Sequence, residues 1–326
     1  MDRRSAGRRP RGRDPDDVSV RPGSPRPLPA ATLPAVHFAR DYDDAVVAAR
    51  VRAGRWERIG RGAYASPALC SSPRRRSIAR IIAADHQLRT AHWFSHESAA
   101  VIWGLPLWRE PEHVQVRQPG HASSQRDRSV ARHRGFVDGA RLTSVGGLAV
   151  TDLVQTAVDC ACALRPLEGL VVADGALRAG ADREEALALL DDLTGHRGIR
   201  RARGIIALAD GGAESPGETA TRFVILRAGL PTPRTQIEAA TRLGTFWADL
   251  GWEEWRVLIE YDGRPKYRSV DDLVREKRRH DALLEAGWRV LRVTKEDLRE
   301  PAVLLARVGR MLPPGLLQTP RKALRA

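Results

Sequence analysis

Between Ser215 and Thr294 the chain alternates end signals and apolar runs in an order that leaves one reading: helix, strand, strand, strand, helix, strand. Ser215 supplies a helix N-cap, Pro216 the fixed φ of a first helical position, and Glu218 a capping partner three residues after the cap. Gly229 closes that helix, with Pro231 just beyond. Residues 235–239 and 245–250 read as extended, residues 251–254 as a turn, and residues 255–262 as a β-rich run ended by Gly263. A helix over 270–286 and a strand over 288–294 complete an α/β layer.

Three acidic residues fall on the strands of this unit: Asp249 at the end of one, then Glu260 and Asp262 on the next. Strand side chains repeat every second residue, so Glu260 and Asp262 share a face. Carboxylates held close together bind a hard cation. Mg²⁺, or Mn²⁺ in its place, takes oxygen ligands, keeps several waters, and can activate one water while stabilising charge on a phosphoryl group. The chemistry this points to is hydrolysis of a phosphodiester. Acidic residues at strand ends are also common turn formers, and Glu218 alone is explained by its capping position.

The distribution of lysine supports the chemical reading. Only four of the 54 basic residues are Lys, and none precedes Lys266. Lys266 and Lys277 both follow the acidic positions closely, and an ammonium can approach a scissile phosphate as a compact point charge. Lys277 lies four after Leu273 and seven before Leu284, which predicts that it shares an inward stripe of its helix.

Taken in order, Ser215-Pro216-Gly217-Glu218, Gly229-Leu230-Pro231, Asp249-Leu250, Ile259-Glu260-Tyr261-Asp262-Gly263, Lys277-Arg278-Arg279-His280-Asp281 and Gly287-Trp288-Arg289-Val290-Leu291-Arg292 resemble the domain related to very-short-patch-repair endonucleases, within the PD-(D/E)XK superfamily. The resemblance implies a restriction-endonuclease-like domain over 214–312. It implies that Asp249 and Glu260 bind the divalent ion, that Glu218 supports it from the first helix, and that Asp262 adds a ligand. The superfamily's Glu-x-Lys reads Glu260-Tyr261-Asp262 here, so a catalytic lysine has to come from elsewhere, with Lys277 or Lys266 as substitutes.

Upstream, composition matters more than motif. The 326 residues suffice for two or more domains, and a formal net charge of +14 makes a polyanion such as DNA the natural partner. No apolar run reaches membrane-spanning length, and Pro and Asp follow the basic N-terminus where a signal peptide would be apolar, which predicts a cytoplasmic protein. Residues 1–35, rich in Arg, Asp and Pro and lacking aromatics, predict a disordered arm. Residues 42–53 suit a short helix stopped by Gly54, followed by a hairpin around Gly60-Arg61-Gly62. The segment from Arg50 through Arg55-Trp56 to Tyr64-Ala65 resembles the opening of AbiEi-like antitoxin and transcriptional-regulator proteins. That resemblance implies a partial winged-helix unit over 36–70 and an AbiEi-like α/β middle region over 71–210. Arg50, Arg52, Arg55, Arg58 and Arg61 form its candidate phosphate-contacting strip.

Residues 313–326 form a basic tail. Three cysteines exclude a disulfide framework, and His92 and His96 lack the third ligand of a zinc site. A non-catalytic DNA-binding regulator that retains an inactive nuclease fold is the rival reading. A toxin or other protein partner and self-pairing stay open.

Overall fold

The computed structural model describes residues 35–119, 128–134, 137–193, 195–263, 270–316 and 321–324. Lys266 and the arm up to residue 34 lie outside the described residues. The chain is a mixed α/β, multidomain structure, with three sheets among the described residues. Among the described residues no helix is long and apolar enough to cross a membrane.

The first sheet is small. Strand β1 (His37–Phe38), helix α1 (Asp44–Arg52), β2 (Glu57–Gly60) and β3 (Ala63–Ala65) give the order β1-β3-β2, antiparallel throughout. Buried Trp56 anchors it, stacked on His37 at 4.4 Å between ring centroids and met edge-on by Tyr42 at 5.0 Å. The expected short helix and basic hairpin are therefore both present. Within α1 only Val47 is buried.

Helix α2 (Pro73–Gln87), capped by the Ser72 hydroxyl, serves two cores. Ala79 and Ala83 pack towards the first sheet, whereas Ile78, Ile81 and Ala84 pack on the second. That second sheet joins β4 (Trp93–Phe94), β5 (Val114–Arg117), β6 (Val130–His133), β7 (Leu142–Val145) and β8 (Leu148–Thr151) in the order β6-β5-β4-β8-β7, with α3 (His96–Ile102) against it. Four further helices follow: α4 (Leu153–Ala163), α5 (Pro166–Arg178), α6 (Arg183–Asp192) and α7 (Ile199–Leu208). They share a core of Val158, Cys160, Leu170, Leu190 and Ile205. Cys160 is thus a small buried hydrophobe.

The C-terminal third has the order read from its end signals: α8 (Pro216–Arg227), β9 (Arg234–Thr241), β10 (Gly244–Trp252), β11 (Val257–Asp262), α9 (Val270–Glu285) and β12 (Arg289–Thr294), followed by α10 (Pro301–Gly309). The sheet order is β12-β11-β10-β9, antiparallel except for the β11–β12 pair, which α9 connects as a crossover. Ile225, Leu250, Ile259, Val293 and Leu304 form the core on the α8 and α10 side. Ala248, Leu258, Leu283 and Trp288 form the one under α9.

Helix α8 belongs to two cores at once. Phe223 and Leu226 enter the four-helix core, whereas Ile225 enters the sheet core. A buried ion pair fixes this junction: Arg222 Nη2 donates to both Asp174 oxygens, at 2.7 and 2.8 Å, with both side chains 1% exposed. Asp174 also accepts the Asp210 N–H and the Thr219 hydroxyl, so none of its charge is stranded. Residues 321–324 lie against the same junction. Leu324 is buried among the helices, and Ala323 lies so near Gly204 that a Cβ there would stand 2.1 Å from it.

Candidate functional site

The β10–β11 ladder pairs Trp252 with Val257, Gly251 with Leu258 and Leu250 with Ile259, and stops there. One step further Asp249 would face Glu260. Instead the Asp249 carboxylate takes the place of a backbone acceptor, its Oδ2 receiving the Tyr261 N–H at 2.7 Å. A side chain thereby completes a hydrogen bond that the diverging strand no longer supplies. This places the Asp249 carboxylate against β11 beside Glu260.

Alternation along β11 does the rest. Ile259 and Tyr261 face α8, and the Tyr261 ring lies so close to Gly217 that a Cβ on that residue would come within 1.9 Å of it. Leu258 packs under α9, and Glu260 and Asp262 share that face.

The structure places the basic partner differently from the expected stripe. Leu273, Lys277 and Leu284 point outward, with Leu273 53% and Leu284 48% exposed. The inward stripe is Glu276, Arg279 and Leu283, because those residues meet partners on the sheet. Arg279 Nη2 donates to Glu260 Oε1 at 2.5 Å and reaches Trp247 O at 3.4 Å, while its guanidinium lies 5.4 Å from the Phe246 ring centroid. Arg279 Nη1 is 3.6 Å from Glu276, Arg292 pairs with Glu276, and Arg292 Nε stands 3.9 Å from Glu260 Oε2. Burial opposes the Arg279 charge, yet Glu260, Glu276 and Asp249 together hold its pKa above the ordinary arginine value. Sequence periodicity missed Arg279 because it follows apolar residues, and the inward positions here are paired charges.

Glu218 is buried, and its carboxylate accepts the Glu214 N–H at 2.7 Å while its own N–H donates to Ser215. Burial pushes its carboxyl above the ordinary range. It closes its own helix end. Among the described residues no three His, Cys, Asp or Glu side chains form a ready cage for a metal. The Asp249 and Glu260 pair still fits Mg²⁺ in donor chemistry, since that ion is commonly held by one or two carboxylates with water and phosphate completing its shell. A cation, the Arg279 guanidinium, already sits among these oxygens.

Arg50, Arg52, Arg55, Arg58 and Arg61 are all exposed around α1 and the β2–β3 hairpin. Arg50 lies 5.0 Å over the Trp56 ring, and Arg58 Nε donates to Gly60 O.

A second polar cluster had no sequence signal, because its members come from four separate elements. The His96 and His133 rings stack at 3.6 Å, and His96 Nδ1 meets Ser95 Oγ at 3.0 Å. Ser95, at the N-cap position of α3, makes no side-chain cap bond to that helix. Beneath the stack, Arg117 and Gln155 bind Asp159 at 2.5 and 2.8 Å. His96 has a φ of +51°, and burial lowers its pKa to about 4. His92 instead bonds Asp85 at 3.1 Å, so the two histidines serve different contacts.

No family model matches the chain. Two curated proteins of Mycobacterium tuberculosis, "Uncharacterized protein MT2308" from strain CDC 1551 and "Uncharacterized protein Rv2248" from strain H37Rv, are each 36% identical to it over 180 residues. The match covers 53% of this chain and 65% of each relative, so the chain spans just under two thirds of their length. Among solved structures, the RV2827C protein of the same species aligns over 62% of this chain and 84% of its own, at 16% identity and a TM-score of 0.37.

Proposed function

We propose that the protein binds DNA and that its C-terminal unit is a restriction-endonuclease-like domain that hydrolyses phosphodiester bonds with Mg²⁺. The observation that carries this reading is the Asp249 carboxylate bonded to the Tyr261 N–H beside Glu260, where β10 and β11 part. The order α8-β9-β10-β11-α9-β12, matching the motif order of very-short-patch-repair-like domains, supports it. Asp249 and Glu260 would hold the ion, with Asp262 on the same face as a further oxygen donor. When bound, such an ion lowers the pKa of a coordinated water and stabilises charge on the phosphoryl oxygens.

The chain's own residues set the remaining roles. Tyr261 N–H orients the Asp249 carboxylate. Arg279, which keeps its proton in proteins, can hold an anion but cannot serve as a base. Lys277, facing solvent, is too far round its helix to share that site, which leaves Lys266 as the lysine candidate. For duplex binding, the partial winged helix of α1 and the β2–β3 hairpin offers its exposed arginines to phosphates, and the AbiEi-like resemblance of that segment supports the assignment.

A second reading, a DNA-binding regulator with an inert nuclease fold, is favoured by one observation: Glu260 is already neutralised by Arg279. A labelled duplex mixed with the protein in EDTA and then given Mg²⁺ separates the two. Retention in EDTA followed by cutting that Glu260→Gln abolishes supports the nuclease. Retention with no cutting under Mg²⁺ or Mn²⁺ supports the regulator.

A further inference from the structure

We infer that Arg279 is the resident cation of the Asp249–Glu260 pair, and that a divalent ion takes this place only by displacing it towards Glu276. The inference rests on the reading of that pair as the ion site. Glu260 is 13% exposed in its side chain and Arg279 19%, so their 2.5 Å contact lies in a setting where solvent screens little. Asp249, Glu260 and Glu276 contribute three negative charges, Asp262 a fourth on the same face, against the two guanidiniums of Arg279 and Arg292. Four carboxylates on one face call for cations, and the protein supplies one of them, Arg279, from α9.

Displacement is feasible because Arg279 has somewhere to go. Leaving a buried guanidinium unpaired is costly, but Glu276, one turn back on α9, already lies 3.6 Å from Arg279 Nη1. A small rotation of the side chain would exchange Glu260 for Glu276 and free Glu260 Oε1, while the stem keeps its place over Phe246. Arg279 thereby becomes a positioning residue: it holds Glu260 in place without the ion and raises the ion concentration needed to fill the site.

The test is Mn²⁺ binding to the full-length protein without DNA, read by calorimetry and by the loss of free-ion electron paramagnetic resonance signal. Arg279→Met keeps the stem and removes the charge, and should tighten the Kd at least about tenfold, since a unit charge within contact range of a dication outweighs that factor. Arg279→Lys should stay within about threefold of the parent. Glu276→Gln, which removes the receiving carboxylate, should weaken Mn²⁺ binding and guards against a misfolded Met variant. Cooperative melting in EDTA certifies each protein. Equal or weaker binding by a folded Arg279→Met, or tighter binding by Glu276→Gln, overturns the inference. If neither the parent nor Arg279→Met takes up Mn²⁺ at millimolar concentration, the ion site falls and the inference with it. Arg279-dependent binding without any DNA cutting would instead sink only the nuclease reading.

Discussion

Removing either partner of the Asp174–Arg222 pair leaves a buried charge without its counter-ion. Asp174→Ala should therefore cost about 3–5 kcal/mol in urea unfolding, whereas Asp174→Leu combined with Arg222→Met should recover most of that loss. Recovery by the double variant is the informative result, because it separates a stranded charge from a merely emptied space. His96 gives a pH effect of defined sign. Its pKa falls from 6.5 to about 4 on folding, so between those values the unfolded chain binds a proton that the folded chain refuses. The stability this histidine contributes is complete above about pH 6.5 and is lost as the pH falls towards 4. On moving from pH 7 to pH 5, the parent should lose about 2 kcal/mol more than His96→Gln. Equal losses in the two proteins would show that His96 titrates freely in the folded state.

Helix α1 buries a single residue, Val47, and with the β2–β3 hairpin presents Arg52, Arg55 and Arg61 to solvent. If these elements lie on DNA, replacing the three arginines with alanine should lower the slope of log K against log salt by about 2 to 3, with little change in melting temperature. An unchanged slope would move the contact surface elsewhere. The ends of such elements were legible in the sequence because they are local. Ser215, Gly229, Gly263 and Gly287 act within one turn of chain, and the C-terminal strands and helices begin and end close to them. What faces what was less legible. On α9 the apolar residues Leu273, Val274 and Leu284 are the exposed ones, and Glu276 and Arg279 turn inward because the sheet and its neighbours carry Glu260 and Arg292 to meet them. Hydrophobic periodicity cannot register a charge that is paired by a distant strand. The four-helix layer from α4 to α7 escaped for a related reason. Its α4, Leu153–Ala163, is small and apolar on nearly every side, so no stripe announces a direction of packing.

Across the whole molecule, two helices bind the parts together: α2 between the first two sheets, and α8 between the four-helix core and the C-terminal sheet. The N-terminal end of α8 also carries the Tyr261 ring, and Tyr261 N–H holds Asp249. The candidate site is thus built on an element that the rest of the chain clamps through Arg222, which suits a site needing fixed carboxylates. On the proposed reading, the strongly basic chain would draw duplex DNA to its surface, and Asp249 and Glu260, where β10 and β11 part, would hold the divalent ion. The most direct measurement is the conversion of supercoiled plasmid to nicked circles by the parent and by Asp249→Ala, each in Mg²⁺, Mn²⁺ and EDTA. The parent should nick in both metals and not in EDTA, and the variant should lose at least about a hundredfold in rate with plasmid retention unchanged. Nicking by Asp249→Ala at the parent's rate, or a parent that binds plasmid and never cuts it, would rule out the Asp249 and Glu260 pair as a hydrolytic metal site.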